Sequence, residues 1–250
     1  MLLAAVEYAR PSSLADALTA LGRSENARAL AGGQTLINVM KARAAQPDLL
    51  VDLADVAELR GISESGGALE IGAMTTYAQL MDSSDVFDTR PVLSRVAGEI
   101  ADVQVRNRGT IGGNVCLSDP TNHFPPLMVA MNASFTIAGP SGERTVSAGE
   151  FFQGVYMTAV QPGELLTKIT IPPAQGDGFA AVTIGKDGTC IVNAAATKNG
   201  DTRFAIGCVA AVPVTSLDDL DPPSDVHGSA DYRRHLAKIL VDRAIAEAGG

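Results

Sequence analysis

The sequence predicts an α+β protein, and three observations carry that reading. Helix and strand patterns alternate over roughly the first 55 residues. From about residue 58 the pattern changes to glycine-punctuated hairpins interleaved with short helices. The last third gives three strand-like runs and then one long helix.

Taken in order, Ser13 begins a capping box, with Asp16 where Glu is usual, and Leu14, Leu18 and Leu21 follow at helical spacing before Gly22. Residues 28–31 form a short strand that runs into Gly32-Gly33-Gln34-Thr35. The apolar Leu36, Ile37, Val39 and Met40 predict a helix over 36–44, with Pro47 beyond its end. Residues 49–53 read as a buried strand. Gly66-Gly67 sits between strands 60–63 and 68–72. Thr75 or Thr76 caps a helix through Met81, and Pro91 opens another to about Ala101. The stretch 104–114 holds three glycines and reads as a loop. Pro125 and Pro126 start a helix to Met131. Strands 134–137 and 143–146 flank a Gly-Pro-Ser-Gly turn, and 165–171 is an alternating strand.

Pro172-Pro173 and Gly176-Asp177-Gly178 mark a domain boundary, giving domains 1–174 (subdomains about 1–55 and 56–174) and 177–250. Strands are expected over 179–184, 190–197 and 203–209, with Asn199-Gly200 turning the last hairpin. Residues 217–223 read as an exposed acidic loop. A helix over 232–248 points Leu236, Ile239, Leu240 and Ile245 inward.

Composition excludes several functions. The 28 acidic residues against 19 basic ones give a net charge of −9, which argues against nucleic acid and anionic membranes as partners. No apolar run is long enough to span a bilayer, and the N-terminus lacks the basic region of a signal peptide. Cys116, Cys190 and Cys208 form no CxxC and no short cluster, so a disulfide framework, zinc site or iron–sulfur cluster is not expected on this chain. The expected compartment is cytoplasmic. No catalytic side-chain constellation, metal-ligand spacing or GxSxG elbow is present.

The chemistry-bearing elements are two glycine loops, Ala31-Gly32-Gly33-Gln34-Thr35-Leu36 and Thr110-Ile111-Gly112-Gly113-Asn114. Each sets a glycine pair beside side chains that donate hydrogen bonds, and the first leads into a helix N-terminus. Backbone N–H groups aimed at one oxyanion suit an acidic chain with few lysines. Neither loop is a Walker A or a GxGxxG sequence. A glycine pair alone marks an ordinary turn; two such loops, each with Thr and an amide, are able to close on one diphosphate. His123 reads either as a cap or as a neighbour of this site. Arg106 and Arg108 read either as phosphate contacts or as a solvated loop. Ser118-Asp119-Pro120 reads as an Asx turn, and Asp225-Val226-His227-Gly228-Ser229 as local capping structure.

At these loops the sequence resembles the FAD-binding medium subunit of the molybdenum hydroxylases, the carbon monoxide dehydrogenase and xanthine dehydrogenase type. The resemblance extends over Val51-Asp52-Leu53, Leu69-Glu70-Ile71-Gly72-Ala73-Met74-Thr75-Thr76, Val105 to Asn114, Gly163-Glu164-Leu165-Leu166 and Asp225 to Arg234. It implies a two-subdomain FAD-binding fold of the vanillyl-alcohol-oxidase (PCMH) type plus a small C-terminal α+β domain.

By resemblance, Leu30, Ala31, Gly32, Gly33, Gln34, Thr35, Leu36 and Ile37 wrap the FAD diphosphate together with Thr110, Ile111, Gly112, Gly113 and Asn114. Ile100 and Leu166 line the cofactor. His123 stands where relatives often carry an Asp near the adenosine end. Relatives also carry a Lys just after the first aromatic of the C-terminal domain. Here Ala180 and Ala181 follow Phe179, and Lys186 is the candidate substitute. The stretch between Val214 and Asp221 is shorter than in relatives, which implies a trimmed or partly disordered C-terminal domain.

The resemblance further implies an oxidoreductase subunit. A molybdenum cofactor on a large subunit and two [2Fe–2S] clusters on a small subunit send electrons to FAD here, in a dimer of heterotrimers, and FAD passes them to an external acceptor. The rival readings are a self-contained FAD oxidoreductase of the same fold and a non-catalytic flavin-binding module.

Overall fold

Ser13 stops the chain from entering its first helix one residue early: its hydroxyl accepts from the Asp16 N–H at 3.1 Å and caps α1, Leu14–Leu21. The computed structural model describes residues 3–185 and 188–249. Around α1 lie β1 (Glu7–Ala9), β2 (Ala27–Leu30), α2 (Leu36–Lys41) and β3 (Leu49–Asp52). The strands form a parallel sheet in the order β1-β3-β2, with Leu49 opposite both Glu7 and Ala27. Ala17 and Leu21 of α1 pack on Leu49, Val51 and Leu53. Helix α2 ends short of the expected residue 44. Arg43 takes a left-handed φ of 62°, and the Ala44 N–H reaches back to the Val39 carbonyl at 3.0 Å, the bonding that closes a helix end.

The middle of the chain is an antiparallel sheet covered by small helices. Its strands and helices run β4 (Ile62–Ser65), β5 (Ala68–Gly72), α3 (Tyr77–Asp82), α4 (Ser84–Thr89), α5 (Pro91–Gly98), α6 (Val103–Arg108), α7 (Ile111–Leu117), α8 (Phe124–Ala130), β6 (Ser134–Gly139), β7 (Gly142–Ser147), α9 (Ala148–Phe151), β8 (Phe152–Gly154), β9 (Met157–Thr158) and β10 (Leu165–Ile171). The sheet order is β4-β5-β10-β6-β7, so β10 returns late in the chain to fill the gap between two hairpins. Leu69, Ile71, Phe135, Ile137, Ile169 and Ile171 point from it into a core shared with Leu93, Val96, Phe124 and Leu127. Thr76, not Thr75, caps α3 in a reciprocal box with Gln79.

The stretch 104–114 is not a loop. It contributes most of α6 and the start of α7, broken only at Gly109 and Thr110. Asp102 caps the first by accepting from the Val105 N–H at 2.9 Å, and Thr110 caps the second from the Gly113 N–H at 3.1 Å. The glycines serve contact here, not a turn. A Cβ on Gly112 would stand 2.5 Å from the Ala73 carbonyl oxygen, so only glycine lets α7 lie against that strand end. Helix α5 stops at Gly98, before the expected 101; Ala101 is left-handed, and the Arg106 guanidinium donates to the Ile100 and Ala101 carbonyls at 3.0 and 2.6 Å.

The third sheet is β11 (Gly176–Thr183), β12 (Cys190–Asn199) and β13 (Asp201–Gly207), antiparallel in sequence order, followed by α10 (Ala230–Glu247). Gly176-Asp177-Gly178, expected as a domain boundary ahead of a strand from residue 179, is already strand, with Gly176 opposite Lys198. The reason lies across the sheet. A Cβ on Gly178 would stand 2.0 Å from the Ala244 carbonyl oxygen, so α10 lies almost on the strand backbone. Small residues carry that contact: Ala237 and Ala244 are buried with Leu240 and Val241, whereas Leu236, Ile239 and Ile245 are only half-buried. Alternation along β12 then sends Ala194 and Ala196 toward α10 and Ala195 into the central core. Between β13 and α10, Ser216 caps a single 3-10 turn, Leu217–Asp219, and the Asp221 N–H donates to the Val209 carbonyl at 3.0 Å.

Candidate functional site

A cavity of about 830 Å³ opens between the first sheet and the α6–α7 segment. That is the size range of a cofactor site. The β2–α2 connection forms one wall with Ala31, Gly32, Gly33, Gln34, Thr35 and Leu36. Thr110, Gly112, Gly113 and Asn114 form the facing wall, and Ile100 and Leu166 close it. The two glycine loops, far apart in sequence, therefore face one space. They touch behind it: a Cβ on Gly32 would fall 2.1 Å from the Arg108 carbonyl oxygen.

The two loops play different parts. Gly33 has φ +73°, which turns the chain sharply out of β2 and which a side chain would strain. Among the described residues, the N–H groups of Gly33, Gln34, Thr35 and Leu36 meet no protein acceptor. They are the donors left for an anion. Gln34 stiffens the loop by donating from Nε2 to the Gly32 carbonyl at 3.1 Å.

At α7 the first-turn N–H groups are already engaged. Ile111 donates to Thr75 at 2.9 Å, Gly112 to Ala73 at 3.0 Å, Gly113 to the Thr110 hydroxyl and Asn114 to the Thr110 carbonyl at 3.0 Å. What α7 offers instead is Asn114. Its Nδ2 donates to the Tyr77 hydroxyl at 3.0 Å, and its Oδ1 is buried with no partner. A buried amide oxygen without a donor is costly unless a ligand supplies one. Tyr77 lines the cavity, stacks on Phe124 with ring centroids 5.8 Å apart, and burial pushes its hydroxyl up to about 12.

The remaining expected residues lie elsewhere. Leu30 and Ile37 line a smaller adjoining cavity of about 360 Å³, with Asn38, Lys41 and Arg108. Ile111 is fully buried in the core behind the wall. Arg106 braces Ile100 and Ala101, so it shapes the wall from outside. Asn122 reaches the cavity, but His123 does not. Its ring packs edge-on against Phe179 at 5.3 Å, and its Nδ1 lies 3.1 Å from Asn193 Nδ2. Lys186 lies outside the described residues. Asp119 makes the expected Asx turn through the Thr121 N–H at 2.8 Å, and Asp225 accepts from the His227 N–H at 2.8 Å. Sequence reasoning missed Tyr77, Asn122, Tyr156, Arg28 and Met74 on the cavity wall. Only Tyr77 carried a signal, as the first helical residue after a capping threonine.

The wall fits FAD. It supplies free backbone donors for a diphosphate, one orphaned amide oxygen, glycines that let the two walls close on each other behind the cavity, and a long apolar flank from Leu36, Val39, Ile100 and Leu166. Among the described residues no three His, Cys, Asp or Glu side chains converge as a metal site, and no helix is long and apolar enough to cross a membrane.

Comparison with known proteins agrees. The profile of the FAD-binding domain in molybdopterin dehydrogenases matches residues 4–174. The carbon monoxide dehydrogenase medium chain of Afipia carboxidovorans is 39% identical, covering 99% of this chain and 98% of its own. The nicotine 6-hydroxylase medium subunit of Paenarthrobacter nicotinovorans is 33% identical, covering 100% and 99%. Carbon monoxide dehydrogenase from Hydrogenophaga pseudoflava superposes with a TM-score of 0.95 at 35% identity, covering 100% and 99%. Quinoline 2-oxidoreductase from Pseudomonas putida 86 superposes at 0.93 and 34%, covering 99% and 98%. With its two glycine loops facing one cavity and its fold shared end to end with these proteins, the chain belongs to the FAD-binding medium subunits of the molybdenum hydroxylase family of oxidoreductases.

Proposed function

We propose that this chain is the flavin relay of a heteromeric molybdenum hydroxylase. It takes electrons from [2Fe–2S] clusters on a small subunit and passes them through FAD to an external acceptor. A large subunit carries the molybdenum cofactor and the organic chemistry, and two such heterotrimers pair. The supporting observation is the polar inventory of the cavity among the described residues: four free N–H donors and one unpartnered amide oxygen acceptor, with no His, Asp or Glu side chain in its lining.

FAD, when bound, supplies the redox chemistry; this chain binds it, orients it and sets its surroundings. The N–H groups of Gly33 to Leu36 hold the diphosphate, and the Thr110 hydroxyl adds to that contact from the facing wall. Asn114 Oδ1 accepts a hydrogen bond from the cofactor, held in place by its own bond to Tyr77. Leu36, Ile100 and Leu166 exclude water along the apolar flank. Residues 1–174 form the cofactor-binding part and 177–250 the C-terminal domain. The small number of cysteines and their lack of a framework favour the cytoplasm.

Anaerobic reduction tests the relay. The full chain reconstituted with FAD is bleached by a chemical reductant but not by the organic substrate of the assembly. Adding the two partner subunits restores bleaching by substrate. Direct reduction of the chain alone by substrate would replace this reading with the self-contained oxidoreductase.

A further inference from the structure

The cavity wall carries one polar pair that a diphosphate cannot satisfy. Asn114 and Tyr77 both line the cavity, at 8% and 5% exposure. Asn114 Nδ2 donates to the Tyr77 hydroxyl at 3.0 Å, and Asn114 Oδ1 is left without a partner. The same bond uses the Tyr77 oxygen as an acceptor. Its own O–H is still to be donated, and among the described residues no acceptor takes it. The pair therefore presents one acceptor and one donor side by side.

Both members are held in place by what surrounds them. The Tyr77 ring stacks on Phe124 with 9° between the planes and 5.8 Å between the centroids. A Cβ on Gly109 would stand 2.7 Å from Tyr77 Cε2, so the ring also lies directly on the Gly109 backbone. Asn114 is fixed by α7, where its N–H donates to the Thr110 carbonyl at 3.0 Å. The hydroxyl hydrogen is then free to turn while the ring that carries it is not. Burial pushes this hydroxyl up to about 12, so it keeps a proton to donate throughout the neutral range.

FAD offers few groups that match. Its ionised diphosphate only accepts hydrogen bonds, so it cannot serve Asn114 Oδ1. Its sugar hydroxyls donate and accept through one and the same oxygen. Two ring edges set an N–H beside a separate acceptor atom. One is the pyrimidine edge of the flavin, where N3–H lies between two carbonyls. The other is the amino edge of adenine, where the amino group lies beside ring nitrogens. Resting on the FAD-binding reading above, we propose that Tyr77 and Asn114 read such a ring edge of the cofactor. Asn114 Oδ1 accepts from the ring N–H, and the Tyr77 hydroxyl donates to the acceptor next to it. The pair selects the heterocycle, a task separate from that of the Gly33 to Leu36 N–H groups, which hold the diphosphate.

The test titrates the full chain, stripped of flavin, with FAD, with 3-methyl-FAD and with FAD whose adenine amino group is dimethylated. Each methylated analogue lacks the N–H of one ring edge. Wild type is expected to bind one of the two about tenfold more weakly than FAD, the factor for a buried acceptor left unpaired, and the analogue that suffers identifies the ring. Asn114→Ala, with no acceptor and with room for the methyl group, loses that discrimination. Tyr77→Phe binds FAD more weakly but still discriminates, because Asn114 still reads the N–H. Should Asn114→Ala fail to fold, Asn114→Val takes its place. Equal wild-type affinity for all three ligands, discrimination unchanged in the Asn114 variant, or FAD affinity unchanged in Tyr77→Phe would each overturn the proposal and leave the FAD-binding reading intact. A folded wild-type chain that takes up no FAD would overturn that reading, and the proposal with it.

Discussion

Gly32 and Arg108 meet main chain to main chain, so closely that a methyl group on Gly32 would fall 2.1 Å from the Arg108 carbonyl oxygen. This contact locks the β2–α2 turn against the α6–α7 segment and sets the width of the cavity between them. Gly32→Ala is expected to push the two walls apart, at about 1–3 kcal/mol in stability, with loss of FAD. Gly113→Ala is the contrast. Its nearest neighbours would be the Thr110 hydroxyl at 2.9 Å and Ala31 Cβ at 3.8 Å, the first of which can swing away. It keeps the melting temperature closer to wild type than Gly32→Ala does. Thermal unfolding and flavin content of both variants check the pair; equal destabilisation by the two would contradict the contact argument.

Thr110 works twice, as the cap of α7 and as a cavity wall. Thr110→Ala removes the acceptor of the Gly113 N–H and is expected to cost about 1 kcal/mol in stability. Thr110→Ser restores it. Denaturant unfolding measures the cost, and FAD titration shows whether affinity falls with it, as a hydroxyl facing the diphosphate requires.

Arg90 clamps the third sheet onto the second. Its Nε and Nη2 bind the two Asp177 oxygens at 2.6 and 2.7 Å, its Nη1 donates to the Pro172 carbonyl, and Thr197 donates to Asp177 at 2.7 Å. Both side chains are essentially buried, at 1% and 5% exposure. Removing one partner strands the other charge, so Arg90→Met is expected to cost about 3–5 kcal/mol. Arg90→Met with Asp177→Leu costs much less than the sum of the single changes. A double-mutant cycle in urea measures this; additive losses would show that the pair is not coupled.

Tyr77 gives the fold an alkaline limit. Burial raises its hydroxyl from about 10 in the unfolded chain to about 12. Between those values the folded chain keeps a proton that the unfolded chain releases, so stability falls as pH rises from 10 toward 12. The full drop is about 2–3 kcal/mol. Tyr77→Phe is expected to lack that drop while starting lower at pH 8, because Asn114 Nδ2 loses its acceptor. Urea unfolding of both proteins at pH 8, 10 and 11 follows the difference, which must shrink with pH.

Much of the fold is readable where one residue type has one local use. Gly66-Gly67 and Asn199-Gly200 mark their hairpins, and Pro125-Pro126 opens α8. The stretch 104–114 reads as a loop in the sequence because its glycines answer to distant partners, Gly109 to the Tyr77 ring and Gly112 to Ala73, which local sequence does not reveal. The cavity follows the same division. The glycine loops stand out in sequence, whereas the Tyr77–Asn114 bond and the turn of His123 toward Asn193 depend on tertiary placement alone. Gly178 reads as part of a domain boundary because the reason for its glycine, the approach of α10, lies at the far end of the chain.

The account rests on FAD being held in this chain by the turn at Gly33. The most direct measurement is the flavin, molybdenum and iron content of the purified assembly carrying Gly33→Val, whose φ of +73° and whose free N–H groups the valine would disturb. The account predicts that FAD is lost while molybdenum and iron remain. Full flavin occupancy in that folded variant would contradict it.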